Sequence, residues 1–244
     1  MTYYNNYDDC CNTSRPGVGN GYANLHNARK NRTPLINIVG DHATFHKQFD
    51  APLNSDIEAL SESLRSGTEK PQWYRTTDVV DNIVNDACDA VAAAGRGVGQ
   101  IATLILPADV SWGDDAPEPR QADIPARPTV SDAKIAEVLS ILQGDQKACL
   151  IIGGMCVSAD DPILAASAIK KATGCVVGMP TFTGRFRRGG GIPTPAKIPY
   201  FPEDAVQFFD GVEQMILIES QSPCKYTSNL TLLVSCGPIL TDCL

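Results

Sequence analysis

The chain lacks a long apolar run, an excess of basic charge and a paired set of cysteines, and each lack removes a class of protein. No stretch approaches the ~20 consecutive apolar residues that cross a bilayer. The first thirty residues also lack the charged-then-apolar order of a secretory leader, so a cytoplasmic protein with no membrane partner is expected. Lysine and arginine number 20 against 28 acidic residues, a formal net charge of −8. A nucleic-acid partner, which asks for a basic face, is therefore not expected. The nine cysteines are odd in number and irregularly spaced, which argues against a disulfide framework. Cys88 falls in a predicted helix and Cys149 and Cys175 in predicted strands, where buried free thiols are the simpler reading.

What is present is alternation. The 244 residues suit one or two domains of ~100 to 200 residues each. Gly17-Val-Gly19-Asn20-Gly21 reads as a glycine turn, and Tyr22, Leu25, His26 and Arg29 repeat at helical spacing after it, up to Pro34. Leu35 to Val39 is short, apolar and β-branched, as a strand buried on both faces would be. The polar run Asp41 to Asp50 follows at the carboxyl end of that strand, where open α/β sheets bind ligands. Ser55-Asp-Ile-Glu58 fits a capping box, with Ile57, Leu60 and Leu64 on one helix face. Val80, Ile83, Val84, Ala87 and Val91 form another stripe before the strand Ile101 to Leu106.

Residues 113–128, GDDAPEPRQADIPARP, carry four prolines and cannot continue a helix or a central strand, so they read as a linker. Beyond it Thr129-Val-Ser-Asp132 opens a helix whose core face is Ile135, Val138, Leu139 and Leu142. Strand 148–152, helix 162–172, strand 175–177, a helix near 203–209 and strand 215–219 then alternate, which predicts a parallel sheet with helices on both sides. The fold class is thus α/β, with two flavodoxin- or Rossmann-like parallel-sheet domains. Residues 1–13 and 224–244 hold five of the nine cysteines and match neither pattern, so they read as tails.

Several motifs bear on chemistry. The glycines at 17 and 19 enter a helix, so their amides either face an anion at the positive helix end or form a plain turn. His42 and His46 stand four apart, as zinc ligands on a helix do, but HATFH lacks the glutamate of HExxH and no third ligand is evident. His42 is otherwise a cleft residue or a surface loop residue. Gly95-Arg-Gly97-Val-Gly99 follows a helix and precedes a strand, the reverse of a phosphate turn, and reads as a helix stop. Gly153-Gly154 has the correct strand-turn-helix order without a full fingerprint. Arg185, Arg187 and Arg188 beside Gly189-Gly-Gly191 either clamp a phosphate or form a solvated loop.

Pro16-Gly17-x-x-Asn20, ANLHNAR at 23–29, NIVGDHAT at 37–44 and DAPLNSDI at 50–57 together resemble the pyrimidine-binding domain of thiamine diphosphate (ThDP) enzymes. The branch is that of acetolactate synthase and benzoylformate decarboxylase. ATLILPADVSW at 102–112, ATGC at 172–175 and IPYFPE at 198–203 extend the resemblance over residues 16–223. It implies a partial pyrimidine domain at 14–112, with its first part missing, and a central domain at 129–223. It further implies ThDP and Mg2+ as cofactors, a small 2-oxo acid as substrate, and a homo-oligomer. Pro16, Gly17, Asn20, Asp41 and His42 become candidate cofactor-binding residues, and no residue is assigned to catalysis or to a metal.

In relatives of this family the central domain also takes FAD or another nucleotide, for which Gly153-Gly154 is the candidate turn. Arg15 departs from the pattern by replacing the glycine ahead of Pro16. The glutamate that the family sets against the aminopyrimidine ring has no counterpart before Asn20, the first glutamate being Glu58. The Gly-Asp-Gly motif that holds Mg2+ and diphosphate is also missing, since Phe209-Asp-Gly211 lacks its first glycine. The resemblance thus implies a fragment of a decarboxylase or carboligase, inactive alone. The alternative is a non-catalytic interaction module, docking on a full-length relative through an exposed sheet edge, or a nucleotide-binding module.

Overall fold

The computed structural model describes residues 8–12, 15–64, 73–97, 99–127, 129–223 and 232–236. The chain forms two compact units, Met1–Arg127 and Pro128–Leu244, each built on a wholly parallel sheet.

In the first unit the elements run β1 (Asp8–Asn12), α1 (Arg15–Lys30), β2 (Leu35–Asp41), α2 (Ile57–Glu62), β3 (Trp73–Thr76), α3 (Ile83–Ala94), β4 (Ile101–Pro107) and α4 (Ala108–Ser111). The strand order is β1-β2-β4-β3. Alternate side chains of the central pair feed two cores. Leu35, Val39, Ile101 and Ile105 pack with Val18 and Leu25 of α1 and with Ile57 and Leu64. On the other face Ala102 and Leu104 meet Ala90, Ala93 and Ala94 of α3. A buried polar pair pins the β2–β4 register: Asn37 Nδ2 donates to Thr103 Oγ1 at 3.3 Å, and these two residues are Cα partners. A one-residue slip would strand both polar groups and turn every side chain to the wrong face.

The second unit runs α5 (Asp132–Gln143), β5 (Ala148–Ile152), α6 (Asp160–Thr173), β6 (Val176–Met179), β7 (Ala196–Lys197), α7 (Pro202–Phe208), β8 (Gln214–Ile218) and β9 (Leu232–Cys236). The order is β7-β6-β5-β8-β9. Strand β5 is buried along its whole length. Its even-numbered residues join Ile163 and Ala166 of α6, and its odd-numbered ones join Ala205 and Phe209. The α/β class with parallel sheets is therefore as expected. Cys88, Cys149 and Cys175 are buried free thiols, and burial pushes the Cys149 thiol up to about 12.

Several local expectations shift. The helix expected after Gly21 starts at Arg15. Gly17, Gly19 and Gly21 are all helical and none has a positive φ, so the segment is no turn. Proline is tolerated in a first helical turn, where its missing N–H would be unpaired anyway. The α2 cap is Asp56, whose carboxylate accepts from Ala59 N at 2.9 Å. Ser55 is not the cap, and Glu58 accepts from Thr76 Oγ1 instead. Ser131 does cap α5.

On α5, Ile135 and Leu139 are 47% and 50% exposed, and the inward residues are Val138, Ile141 and Leu142. The stretches read as tails each supply a strand: β1 pairs with β2, and β9 pairs with β8. Strand β3 also went unread, although its Trp73-Tyr74-Arg75-Thr76 composition suits a strand. Residues 113–127 carry no helix or strand, and within them Arg120 anchors to Asn85 Oδ1. No helix among the described residues is long and apolar enough to cross a membrane.

The burial contrast gives a stability prediction. Ile151 is fully buried whereas Ile135 is half-exposed, so Ile151→Ala should cost ~2–5 kcal/mol and Ile135→Ala less than ~0.5 kcal/mol. Urea-unfolding midpoints of the two variants check this, and equal losses would contradict the packing described.

Candidate functional site

Helices α1 and α2 flank one face of the first sheet and α3 the other. The chain therefore changes sides between β2 and β4. Such a switch point opens a crevice beyond the carboxyl ends of the two adjacent strands. Asp41 and Pro107 are Cα partners at that edge, so the segments after them, His42 onward and Ala108 onward, both leave from the crevice. Helix α1 also starts at this edge, because β1 is parallel to β2 with Asn12 beside Val39 and α1 follows within three residues. Its first-turn N–H groups, Gly17's among them, have no intrahelical acceptor. Sheet topology thus brings the α1 start, with Pro16, Gly17 and Asn20, to the same edge as Asp41 and His42.

The loop after β2 is held by two carboxylates. Asp41, with its side chain only 5% exposed, pairs with Lys47 Nζ at 2.5 Å and accepts from His42 N at 2.7 Å. Asp109, in the first turn of α4, accepts from both the amide (3.0 Å) and the hydroxyl (2.5 Å) of Thr44. The carboxylate of Asp41 therefore shapes the loop, and its oxygens face its own chain. His42 lies between these clamps. Its Nε2 is buried with no hydrogen-bond partner among the described residues, and its ring meets His46 edge to face at 5.6 Å. Asn20 is exposed. Gly19 has open space where a Cβ would stand. No three His, Cys, Asp or Glu side chains among the described residues converge as metal ligands would.

The second unit has its own switch point, between β5 and β8. Gly153 and Gly154 follow β5, and a 3-10 turn, Gly154–Val157, leads toward α6. Glu219, at the end of β8, takes φ 48° and its Oε2 accepts from Met155 N at 2.8 Å. Sequence reading missed Thr44, Lys47, Asp109 and Glu219. Asp109 stands three residues past one predicted strand and Glu219 ends another, positions that could have marked them, whereas Thr44 and Lys47 lie in the polar run 41–50 with no mark of their own.

These features define a protein of two parallel α/β units, each with a crevice at its switch point, and the first crevice lined by a helix start and a histidine-bearing loop. No protein-family profile matches the chain. A Mycobacterium tuberculosis (strain H37Rv) protein provisionally named acetolactate synthase large subunit IlvX is 41% identical over 211 residues, covering 86% of this chain and 39% of that protein. Among solved structures, a Mycobacterium smegmatis protein described provisionally as a thiamin diphosphate-dependent enzyme superposes with a TM-score of 0.68 at 18% identity. The thiamine diphosphate-dependent 4-hydroxybenzoylformate decarboxylase of Rhodococcus jostii RHA1 superposes with 0.74 at 16% identity. Each match covers 93% of this chain and 44% of the other. The chain is thus similar in sequence to a protein named as an acetolactate synthase large subunit and in fold to thiamine diphosphate-dependent enzymes, and it spans less than half the length of the relatives it matches.

The Asp109 clamp has a pH signature. The Thr44 hydroxyl, and then its amide, hold the Asp109 carboxyl below its ordinary value. A depressed folded-state value means the clamp is fully present above the free-aspartate range near ~3.9 and is lost as pH falls through the lowered value. Carbon-13 NMR titration should find Asp109 below free aspartate, and Thr44→Val should return it toward the free value while speeding amide exchange at residue 44. An unshifted wild-type Asp109 would contradict the clamp.

Proposed function

We propose that the chain forms one wall of the cofactor cleft of a ThDP-dependent 2-oxo-acid decarboxylase or carboligase, of the acetolactate synthase type, and that its 244 residues do not turn over alone. One observation supports this reading: the α1 start and the loop carrying His42, whose Nε2 is buried and unpartnered, leave from the same sheet edge, in a chain 41% identical to a protein named as an acetolactate synthase large subunit.

The residues present fit the pyrimidine half of the cofactor. Pro16, Gly17 and Asn20 line the cleft from α1, where the helix start offers N–H groups and Gly19 leaves room for close approach. His42 stands in the β2 loop at this edge, and its buried, unpaired Nε2 reaches cofactor or substrate on this reading only after the side chain turns. Asp41 acts through His42, whose amide it holds, and it is a positioning residue in this reading. ThDP, when bound, supplies the carbanionic carbon that cleaves the bond beside the carbonyl of a 2-oxo acid.

The residues do not fit the other half. Neither the glutamate that would meet the aminopyrimidine nor a Gly-Asp-Gly segment lies within this sequence, and we assign the Mg2+ and diphosphate contacts to residues outside it. General acid-base groups contribute ~10²- to 10⁴-fold, and Mg2+ contacts to phosphate are charge-assisted and strong. Either lack alone would suppress turnover. The wall is completed, on this reading, by association with a full-length relative.

Isothermal titration with ThDP and Mg2+, alongside pyruvate and benzoylformate assays, tests the proposal. The chain alone should show neither micromolar affinity nor turnover. Tight binding with turnover would sink the inactive reading. If adding a full-length relative changes neither the elution volume on size exclusion nor the ThDP affinity, the association falls.

A further inference from the structure

The carboxyl edge of the second sheet has two places where an anion's charge could be met, and one is already filled. At the Gly153-Gly154 turn, Glu219 Oε2 accepts the Met155 N–H. A Cβ on Gly153 would come within 2.7 Å of the Glu219 carbonyl oxygen, and one on Gly154 within 2.8 Å of its Oε2. The Glu219 carboxylate therefore stands where a phosphate would stand on a strand-glycine-helix turn. A dinucleotide, FAD included, does not fit here while Glu219 holds the turn.

The neighbouring loop is open. Between β6 and β7 the chain folds back on the 3-10 turn, where Arg187 N donates to Val157 O at 2.7 Å and Ser158 Oγ donates to Arg185 O at 3.4 Å. Ser158, Asp160, Arg185, Phe186, Arg187 and Arg188 line a cleft of ≈ 380 Å³. Asp160, the one carboxylate in that lining, is taken by Arg187 Nε at 2.7 Å, which fixes that guanidinium in place. The Phe186 ring carries Arg188 at 5.7 Å and Lys197 at 4.9 Å. Arg185, Arg188 and Lys197 make no ion pair among the described residues.

Gly189, Gly190 and Gly191 all have positive φ, 82°, 59° and 80°, a run that side-chain-bearing residues would resist. Three glycines thus reverse the chain and keep the arginines beside the cleft. In a protein of net charge −8, so many cations around one carboxylate concentrate positive potential locally, and focusing in a concave site draws anions.

We propose that this cleft binds a compact phosphate anion, of the inorganic phosphate or diphosphate class, through Arg185, Arg187 and Arg188, while Glu219 closes the adjacent glycine turn to nucleotide phosphates. Guanidinium forks suit phosphate oxygens. Phe186 is the one aromatic ring lining the cleft, and it already carries two cations. The site is partly open, so its affinity falls with ionic strength.

Isothermal titration of the full chain with inorganic diphosphate at low salt tests the proposal, with circular dichroism confirming that each variant folds. Saturable binding should weaken roughly tenfold for each of Arg185→Gln and Arg188→Gln, about the worth of one charge-assisted hydrogen bond. Glu219→Gln should leave it unchanged, and ADP should bind no more tightly than diphosphate. The assignment is overturned by absence of saturable binding or by affinity indifferent to the arginines. A site that responds to Glu219 instead, or that prefers ADP tenfold, overturns it equally. None of these readouts depends on turnover, so the outcome is separable from the catalytic reading above.

Discussion

Parallel pairing around a strand buried on both faces is the constraint from which the rest follows. Strand β4 in the first unit and β5 in the second send alternate side chains into two cores each, and a parallel sheet must be covered on both faces. Helices are therefore obliged to lie on both sides, and the connection must change sides once. That change leaves a gap at the carboxyl edge that no helix fills. In the first unit the gap lies between β2 and β4, and every polar feature of interest is found around it. Topology thus marks this edge of the sheet before any residue is considered.

What the residues add is shape. A loop that leaves a sheet edge with no hydrogen-bonding partners would sample many conformations, and ordering it costs ~1–2 kcal/mol per residue. Two carboxylates offset part of that cost by different means. Asp41 is nearly enclosed and pairs with Lys47, the partner that a buried carboxylate needs. Asp109 is more open and gains from two donors on a single residue, Thr44. With the backbone fixed on either side, His42 is left with an unsatisfied buried nitrogen. Native interiors seldom tolerate such a group without a use for it.

Much of this was legible in the sequence, and the failures have physical causes. The alternation of the second unit was read nearly to the residue because β-branched runs and glycine stops agree there. The start of α1 was misplaced because glycine favours a turn statistically, yet packing of Val18 against Leu25 and the sheet overrides propensity. Ile135 and Leu139 fit a helical stripe but remain half-exposed, since periodicity counts apolar residues without knowing how wide the buried stripe is. Strands β1, β3, β7 and β9 were missed for a related reason. They lie at the edges of their sheets, where apolar patterning is weakest, and pairing with β2, β4, β6 and β8 makes strands of them. The family resemblance pointed to the loop after β2. It did not supply the clamp residues, whose role depends on contacts across 65 positions of sequence, as between Thr44 and Asp109.

Glu219 shows how a substitution at one edge position can change what a sheet offers. A non-glycine residue held at φ 48° carries strain of ~1–3 kcal/mol, and such a conformation persists only where something over-determines it. Here the charge-assisted bond to Met155 N, together with the contact that Gly153 permits, supplies the compensation. The turn therefore keeps its geometry without any bound anion. A turn completed by its own chain is rigid when empty, and it can then serve as a wall for the loop that packs against it. The arginine loop is tied to the residues that follow this turn by the backbone bond from Arg187 to Val157 and the hydroxyl bond from Ser158 to Arg185, neither of which involves the Glu219 carboxylate, so the closed anion position and the open one are held independently.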